Sequence, residues 1–324
     1  MTSALESTKT TSAEIAFPLP SIITREGNKT VKRFLEFFTA NIRNKNTRLS
    51  YARAVAQFLA WCEERGISLT QIEPMMVAAY IEELTNVRSA PTVKQHLAAI
   101  RMLFDWLVIG QAIPVNPAAS VKSPRYSIKK GKTPVLSAED ARRLLDSIDT
   151  SHVIGLRDRA LIAVMIYSFA RVSAVIGMKV KDYYPNGKRY WIRLHEKGGK
   201  YHEVPAHHTA EKYIDDYIKA ADIAGEKSKP LFRTTRGQSR TLTARALDRS
   251  RAWAMVKRRA KDAGVSVEIR CHTFRATGIT EYLRNGGTIE KAAQIASHES
   301  TRTTQLYNRV DDEVTLDEVE RIMI

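Results

Sequence analysis

Six residues in the second half of the chain have the types needed to work on a phosphate ester: Arg171, Lys197, His272, Arg275, His298 and Tyr307. Tyr307 lies in the hydroxyl-rich stretch "SHESTRTTQLYNR", nine residues after His298. A phenol, with a pKa of about 10, is a poor nucleophile until a cationic pocket stabilises its phenolate. His272 and Arg275 are three apart in "CHTFRATGITEYLRNGG", hence neighbours on one helical face, with Phe274, Ile279 and Leu283 on the other. The histidine can exchange a proton. Arg171 and Arg275 together can neutralise a pentavalent phosphorane, as an oxyanion hole does for an acyl centre. Lys197, in the glycine-flexed turn "EKGGK", can reach a groove and protonate a leaving oxygen. Each residue alone has a plainer account: a solvated hairpin lysine, an ordinary polar helix face, an arginine whose head escapes to the surface.

The elements that must position these groups are mostly helical. Arg171 follows the run Leu161 to Ala170, apolar nearly all round, and "LRDRALIAVMIYSFARVSAVIGM" reads as one long buried helix. A guanidinium buried there needs a partner. "YWIRLHEKGGKYHEVPAH" reads as two short strands around the turn "KGGK", and helices resume at Ala210 and run, with breaks, to the end. Upstream, "PVLSAEDARRLLDSI" opens a domain with Ser137 as N-cap and Asp140 in the first turn. From Thr30 to about Val121 the pattern predicts a bundle of about four helices. One helix places Leu49, Ala52, Ala56, Leu59 and Ala60 on a face and ends at Gly66. Another begins at Pro91 with the stripe Leu97, Ile100, Leu103, Phe104 and Leu107.

The predicted organisation is a flexible tail over 1–28, a helical domain over 29–121, a basic linker over 122–135 and a second domain over 136–324. The linker holds Lys122, Arg125, Lys129, Lys130 and Lys132 and no acid. With Arg48, Lys94 and Arg101 on the predicted helices, these are candidates for contacts to phosphates.

Composition narrows the partner. Net charge is +16 in 324 residues, and the pI is near 9.8. Such a balance favours a polyanion, most simply nucleic acid. Apolar content of 44% and charged content of 27% describe a globular chain. The longest apolar run, Leu161 to Tyr167, is too short for a bilayer, and the N-terminus has no signal pattern. Cys62 and Cys271 make neither a disulfide framework nor a zinc site. The expected compartment is cytoplasmic. "KKGKT" lacks the first glycine of a phosphate-binding loop, that position being Tyr126. "HEVPAHH" is one residue too long for a zinc-binding HExxH, and Pro205 breaks the helix it would need.

The order Arg171, Lys197, His272-x-x-Arg275, His298, Tyr307 resembles the tyrosine recombinase (phage integrase) family over roughly residues 30 to 324. The motifs carrying the resemblance are "FARVSAVIGM", "KGGKYHEVP", "HTFRATGIT", "SHESTRTTQLYNR" and, at the end of the first domain, "NPAASVKSPR". By this resemblance those six residues are catalytic, with Tyr307 the nucleophile and Lys197 preferred over Lys200. The implied fold is mainly α with a small β-sheet. It is a two-domain clamp on double-stranded DNA: an N-terminal helical core-binding (SAM-like) bundle and a C-terminal mixed α+β catalytic domain. The implied reaction needs no metal, cofactor or ATP. Tyr307 attacks a DNA phosphate to leave a 3′-phosphotyrosine, and a 5′-hydroxyl from a partner strand reverses the step. The acidic tail "DDEVTLDEVERIMI", with Leu316, Val319 and Met323 at helical spacing, is expected to dock on a neighbouring copy in a homo-tetramer on two DNA sites. A tail of about 28 residues is shorter than the arm-binding domain of some relatives. Two positions depart from the family pattern: the acid usual three residues after the first arginine is Ala174, and the usual Leu-Gly before the second histidine is Ala296-Ser297. Alternatives are a type IB topoisomerase with the same chemistry, a DNA-binding relative whose catalysis has lapsed, and a basic RNA-binding protein, for which no RNP-like aromatic strand is present.

Overall fold

The computed structural model describes residues 19–127, 131–196, 201–237, 239–265, 268–308, 319–320 and 322. The chain divides into two compact units, Met1–Ser127 and Ile128–Ile324. Among the described residues no helix is long and apolar enough to cross a membrane.

The first unit is helical: α1 (Ser21–Thr24), α2 (Asn28–Glu36), α3 (Lys45–Glu64), α4 (Pro74–Val87) and α5 (Ala90–Ile109), with a π-helical turn at Phe37–Asn41. Asn44 caps α3, its side chain accepting from the backbone N–H groups of Asn46 and Thr47. The expected stripe of α5 holds in full: Leu97, Ile100, Leu103, Phe104 and Leu107 are all completely buried. Each such side chain contributes about 1.5–3 kcal/mol. The expected face of α3 needs correction. Leu49 is 44% exposed and Ala60 lies on the surface, while Val55, Phe58 and Cys62 join Ala52 and Leu59 in the core. Turned this way, the helix buries Val55, Phe58 and Leu59 completely, together with Ala52 and Ala54, while exposing Leu49.

The second unit begins with α6 (Ala138–Asp146), where Ser137 Oγ accepts from the Asp140 N–H at 3.0 Å, as expected for its N-cap. Then comes α7 (Val153–Tyr167), which packs against α9 (His208–Ala221) and α11 (Cys271–Arg284). The predicted long helix is two. α7 ends at Ser168, Phe169 takes a positive φ of 53°, and Arg171 is the N-cap of a separate short helix, α8 (Val172–Ile176). A close approach accompanies the break. A Cβ on Gly278 of α11 would lie 2.0 Å from the Ile166 carbonyl oxygen and 2.8 Å from the Phe169 ring. Glycine is what lets α11 pass the end of α7.

The hairpin is as expected: β2 (Arg189–His195) and β3 (Tyr201–Pro205) pair antiparallel with His195 opposite Tyr201, and β1 (Tyr183–Asn186) adds a third strand on the far side of β2. The region after Ala210 is not helical throughout. β4 (Arg233–Thr235) and β5 (Leu242–Ala246) form a second small sheet, before α10 (Arg249–Asp262), α11, α12 (Ile289–Ile295) and α13 (Thr301–Gln305). The apolar run from Leu161 to Ile166 is buried, as expected, and the turn of α7 before it carries a buried ionic cluster. Asp158, fully buried, accepts from Arg157 of its own helix and from Arg258 and Arg259 of α10, and Arg157 donates to the Arg233 carbonyl of β4 at 2.7 Å. These charge-assisted bonds tie three elements together around one buried carboxylate.

The C-terminal part of the expected linker is attached to the second unit. The Gly131 N–H donates to the Leu306 carbonyl at 3.0 Å, and the Leu136 N–H to Thr277 Oγ1 at 3.0 Å.

Candidate active site

Three of the other five expected residues, His272, Arg275 and His298, gather around the Tyr307 side chain. Tyr307 follows α13, which Ser300 caps through its hydroxyl. Its carbonyl accepts from Thr280 Oγ1 of α11 at 2.9 Å, and its side chain belongs to a buried apolar cluster with Phe169, Ala276, Ile279 and Ala296, leaving 8% of the residue exposed. His272, in the first turn of α11, brings Nε2 to 2.6 Å from Tyr307 Oη. One turn along, Arg275 is fully buried. Its two terminal nitrogens donate to the carbonyls of Phe169, at the α7–α8 break, and Ala296, at the end of α12, the latter at 2.6 Å. Arg275 Nε, also buried, finds no acceptor among the described residues.

His298 is delivered by the turn that ends α12. The His298 N–H donates to the Ala293 carbonyl and the Ser297 N–H to the Gln294 carbonyl, while Ser297 adopts a left-handed φ of 49°. This is a Schellman helix end, whose left-handed residue is usually glycine. The family's Leu-Gly therefore has a physical reason, and Ser297 meets the same geometry at a conformational cost. The His298 ring stacks nearly parallel to that of Tyr307, with centroids 5.9 Å apart, and Nδ1 is 2.8 Å from Thr304 Oγ1.

Arg171 is half-exposed, and its guanidinium meets a carboxylate that the sequence reading did not anticipate: Nη1 donates to Glu196 Oε2 at 2.5 Å. On this side an open cleft of about 870 Å³ is lined by Arg171, Ser173, Arg249, Trp253, Arg270 and His272.

Electrostatics follow from this crowding of cations in a dry pocket. Burial, then the charges of Arg275 and Arg171, hold His272 below the usual imidazole value. The same causes, with His272 added, press His298 down to about 4. Burial raises the Tyr307 phenol while Arg275 and Arg171 pull it down. Arg275 itself is lowered to about 10, first by burial and then by Arg171, and stays charged at neutral pH. The resting site thus holds neutral imidazoles, a protonated phenol and cationic arginines. A neutral His272 within 2.6 Å can accept the phenolic proton.

The remaining expected residues stand apart from this set. Lys197, its competitor Lys200, Lys129 and Lys130 lie outside the described residues, as do Leu316, Met323 and the first 18 residues of the tail. Lys94, Lys122, Arg125 and Lys132 are exposed. Arg48 spends its guanidinium on the Ile42 carbonyl, and Arg101 on those of Ala118 and Val121. Sequence reasoning missed Glu196, Thr304, Thr280, Arg249 and Arg270. For Thr304 a signal existed in the hydroxyl-rich box itself; for Glu196 the signal was an acid directly before the hairpin lysine.

A two-unit fold with a pocket of arginines, histidines and a buried tyrosine defines an enzyme class that works on phosphodiesters through tyrosine. Comparison gives its family. The profile of the phage integrase family matches residues 134–314, and that of the phage integrase N-terminal SAM-like domain matches residues 31–110. The chain belongs to the phage integrase family, and it is a DNA strand transferase of the tyrosine recombinase type, acting in site-specific recombination through a tyrosine intermediate. Among its relatives is the tyrosine recombinase XerD of Chlorobaculum tepidum, 27% identical over 293 residues, covering 87% of this chain and 92% of the relative. The XerH recombinase bound to a palindromic difH substrate in a post-cleavage complex has a similar fold. Its TM-score is 0.70 at 19% identity, over 90% of this chain and 93% of that one. A lambda integrase tetramer bound to a Holliday junction aligns with a TM-score of 0.65 at 16% identity, over 88% of this chain and 79% of that one.

Proposed function

We propose that Tyr307 is the nucleophile of this recombinase and that His272, Arg275, Arg171 and His298 serve its attack on a DNA phosphate. The observation that carries this reading is the 2.6 Å approach of His272 Nε2 to Tyr307 Oη beside the buried guanidinium of Arg275. Tyr307 Oη forms a bond to phosphorus, its proton passing to His272, and the bond from phosphorus to the 5′-oxygen breaks. The products are a 3′-phosphotyrosine and a 5′-hydroxyl, whose proton comes from Lys197. Arg171 and Arg275 neutralise the phosphorane, and the free buried Nε of Arg275 is a donor suited to a non-bridging oxygen. His298, oriented by Thr304, donates to the same phosphate. A 5′-hydroxyl from a partner strand then reverses the step, and because the phosphotyrosyl bond retains the free energy of the diester, no nucleotide is consumed.

The exposed Lys94, Lys122, Arg125 and Lys132 track phosphates, as do Arg249 and Arg270 at the cleft, whereas Arg48 and Arg101 brace backbone. The active assembly is a homo-tetramer on two DNA sites, held in part by the C-terminal tail, of which Val319 and Ile322 are 49% and 68% exposed. The lambda integrase tetramer on a Holliday junction is the precedent for that arrangement. The compartment is the cytoplasm, where the DNA substrate of such an enzyme resides.

The test is a nicked duplex from the DNA that flanks the gene, incubated with the protein and with Tyr307→Phe. An SDS-resistant protein–DNA adduct with the parent and none with the variant is expected. An adduct of equal yield with Tyr307→Phe would transfer the nucleophile to another residue.

A further inference from the structure

The ion pair between Arg171 and Glu196 is unequal in a way that a surface salt bridge is not. The Glu196 side chain is 4% exposed and the Arg171 side chain 38%. A carboxylate out of water is tolerated when a charged donor satisfies it, and here that donor comes from the face that lines the cleft. A guanidinium has five N–H donors in a rigid planar fork. One of them is spent on Glu196, so the plane of the fork is set while others remain for a ligand.

The position three residues after Arg171 is Ala174, a methyl group buried at 2% in the apolar core. No carboxylate can come from there. Glu196 comes instead from the end of β2, 25 residues away, and supplies a negative charge to the same guanidinium. We propose, on the reading that Arg171 binds the scissile phosphate, that Glu196 is the positioning residue for Arg171 in this recombinase, taking from the strand the role that an acid on α8 would otherwise fill. It aims the Arg171 guanidinium and supplies a counter-charge that lets two arginines converge before the phosphate arrives. The same charge favours the protonated form of Arg275, opposing the effect of Arg171.

The experiment compares Glu196→Gln and Glu196→Asp with the parent. Three quantities are read: the rate of adduct formation on a nicked duplex at saturating protein, the affinity for the same duplex, and the melting temperature. Gln keeps the shape and loses the charge. The expected result is a cleavage rate lower by roughly 10- to 100-fold, with affinity and melting temperature unchanged. Asp, which keeps the charge, recovers part of the rate. A Gln variant that cleaves at the parent rate overturns the proposal. So does a rate loss matched by loss of affinity or of melting temperature, and so does an Asp variant no faster than Gln. A second measurement is independent of cleavage. In the DNA-free protein the guanidinium NMR signals of Arg171 are expected to be slowly exchanging in the parent and averaged in Gln, and identical spectra would overturn the assignment. A parent that makes no adduct while these spectra differ counts against the nucleophile reading and leaves the role of Glu196 in holding Arg171 standing.

Discussion

Replacing Ser297 by glycine is expected to stabilise the second unit. Ser297 holds a φ of 49° at the Schellman turn that ends α12 and delivers His298. A left-handed conformation costs an L-residue with a Cβ roughly 1–2 kcal/mol, and glycine pays none of it. Against this, glycine gains unfolded-state freedom worth roughly 0.5–1 kcal/mol. The difference leaves about 0.5–1 kcal/mol in favour of Ser297→Gly, and for a unit of this size that raises the melting temperature by roughly 1–4 °C. Urea unfolding followed by tryptophan fluorescence is the assay. The midpoint should rise with the slope unchanged, because the substitution alters a local conformational cost and not the surface exposed on unfolding. The backbone bonds of the turn, from His298 to Ala293 and from Ser297 to Gln294, stay in place, so adduct formation should match the parent. A midpoint that stays level or falls would refute the reasoning, since it would mean that Ser297 bears no net strain in this turn.

Three further outcomes follow from the same pocket. Thr304→Val keeps the shape of a fully buried side chain and removes the hydroxyl 2.8 Å from His298 Nδ1. It should slow adduct formation by roughly 5- to 50-fold without weakening DNA binding, and an unchanged rate would release Thr304 from any role in orienting the ring. On pH, if His272 takes the phenolic proton it must be neutral, and because its pKa is held below the usual imidazole value, cleavage should stay level as pH falls to about 6.5 and decline only at lower pH. His298, neutral in the fold with a pKa of about 4 against 6.5 when unfolded, makes stability fall as pH drops from about 6.5 to about 4, because the unfolded chain binds the extra proton there. A cleavage rate that halves near pH 7, or urea midpoints flat across that acid window, would contradict these assignments.

Much of this protein was readable one-dimensionally because the determining interactions are local. The three-residue spacing of His272 and Arg275 puts both on one face of α11 in any helix, and Ser137 caps α6 through an N–H three residues away. The α5 stripe depends only on helical period and residue volume. The set of arginines, histidines and tyrosine was legible through its order along the chain, which resembles that of the phage integrase family. Tertiary structure decided what depends on residues distant in sequence. The run before Arg171 has no breaker that marks an end, yet the helix stops at Ser168, where Gly278 of α11 passes within a methyl group's reach of the Ile166 carbonyl and Phe169 turns its own carbonyl to Arg275. The orientation of α3 followed from which side chains the other helices cover, a choice its own period leaves open. The carboxylate for Arg171 was invisible in the residues around it, because Glu196 reaches it from a strand end 25 positions away. Local sequence thus determined which groups are present and which helix face carries them. Only packing decided which of them meet, because burial makes each charge depend on a partner supplied from elsewhere in the chain.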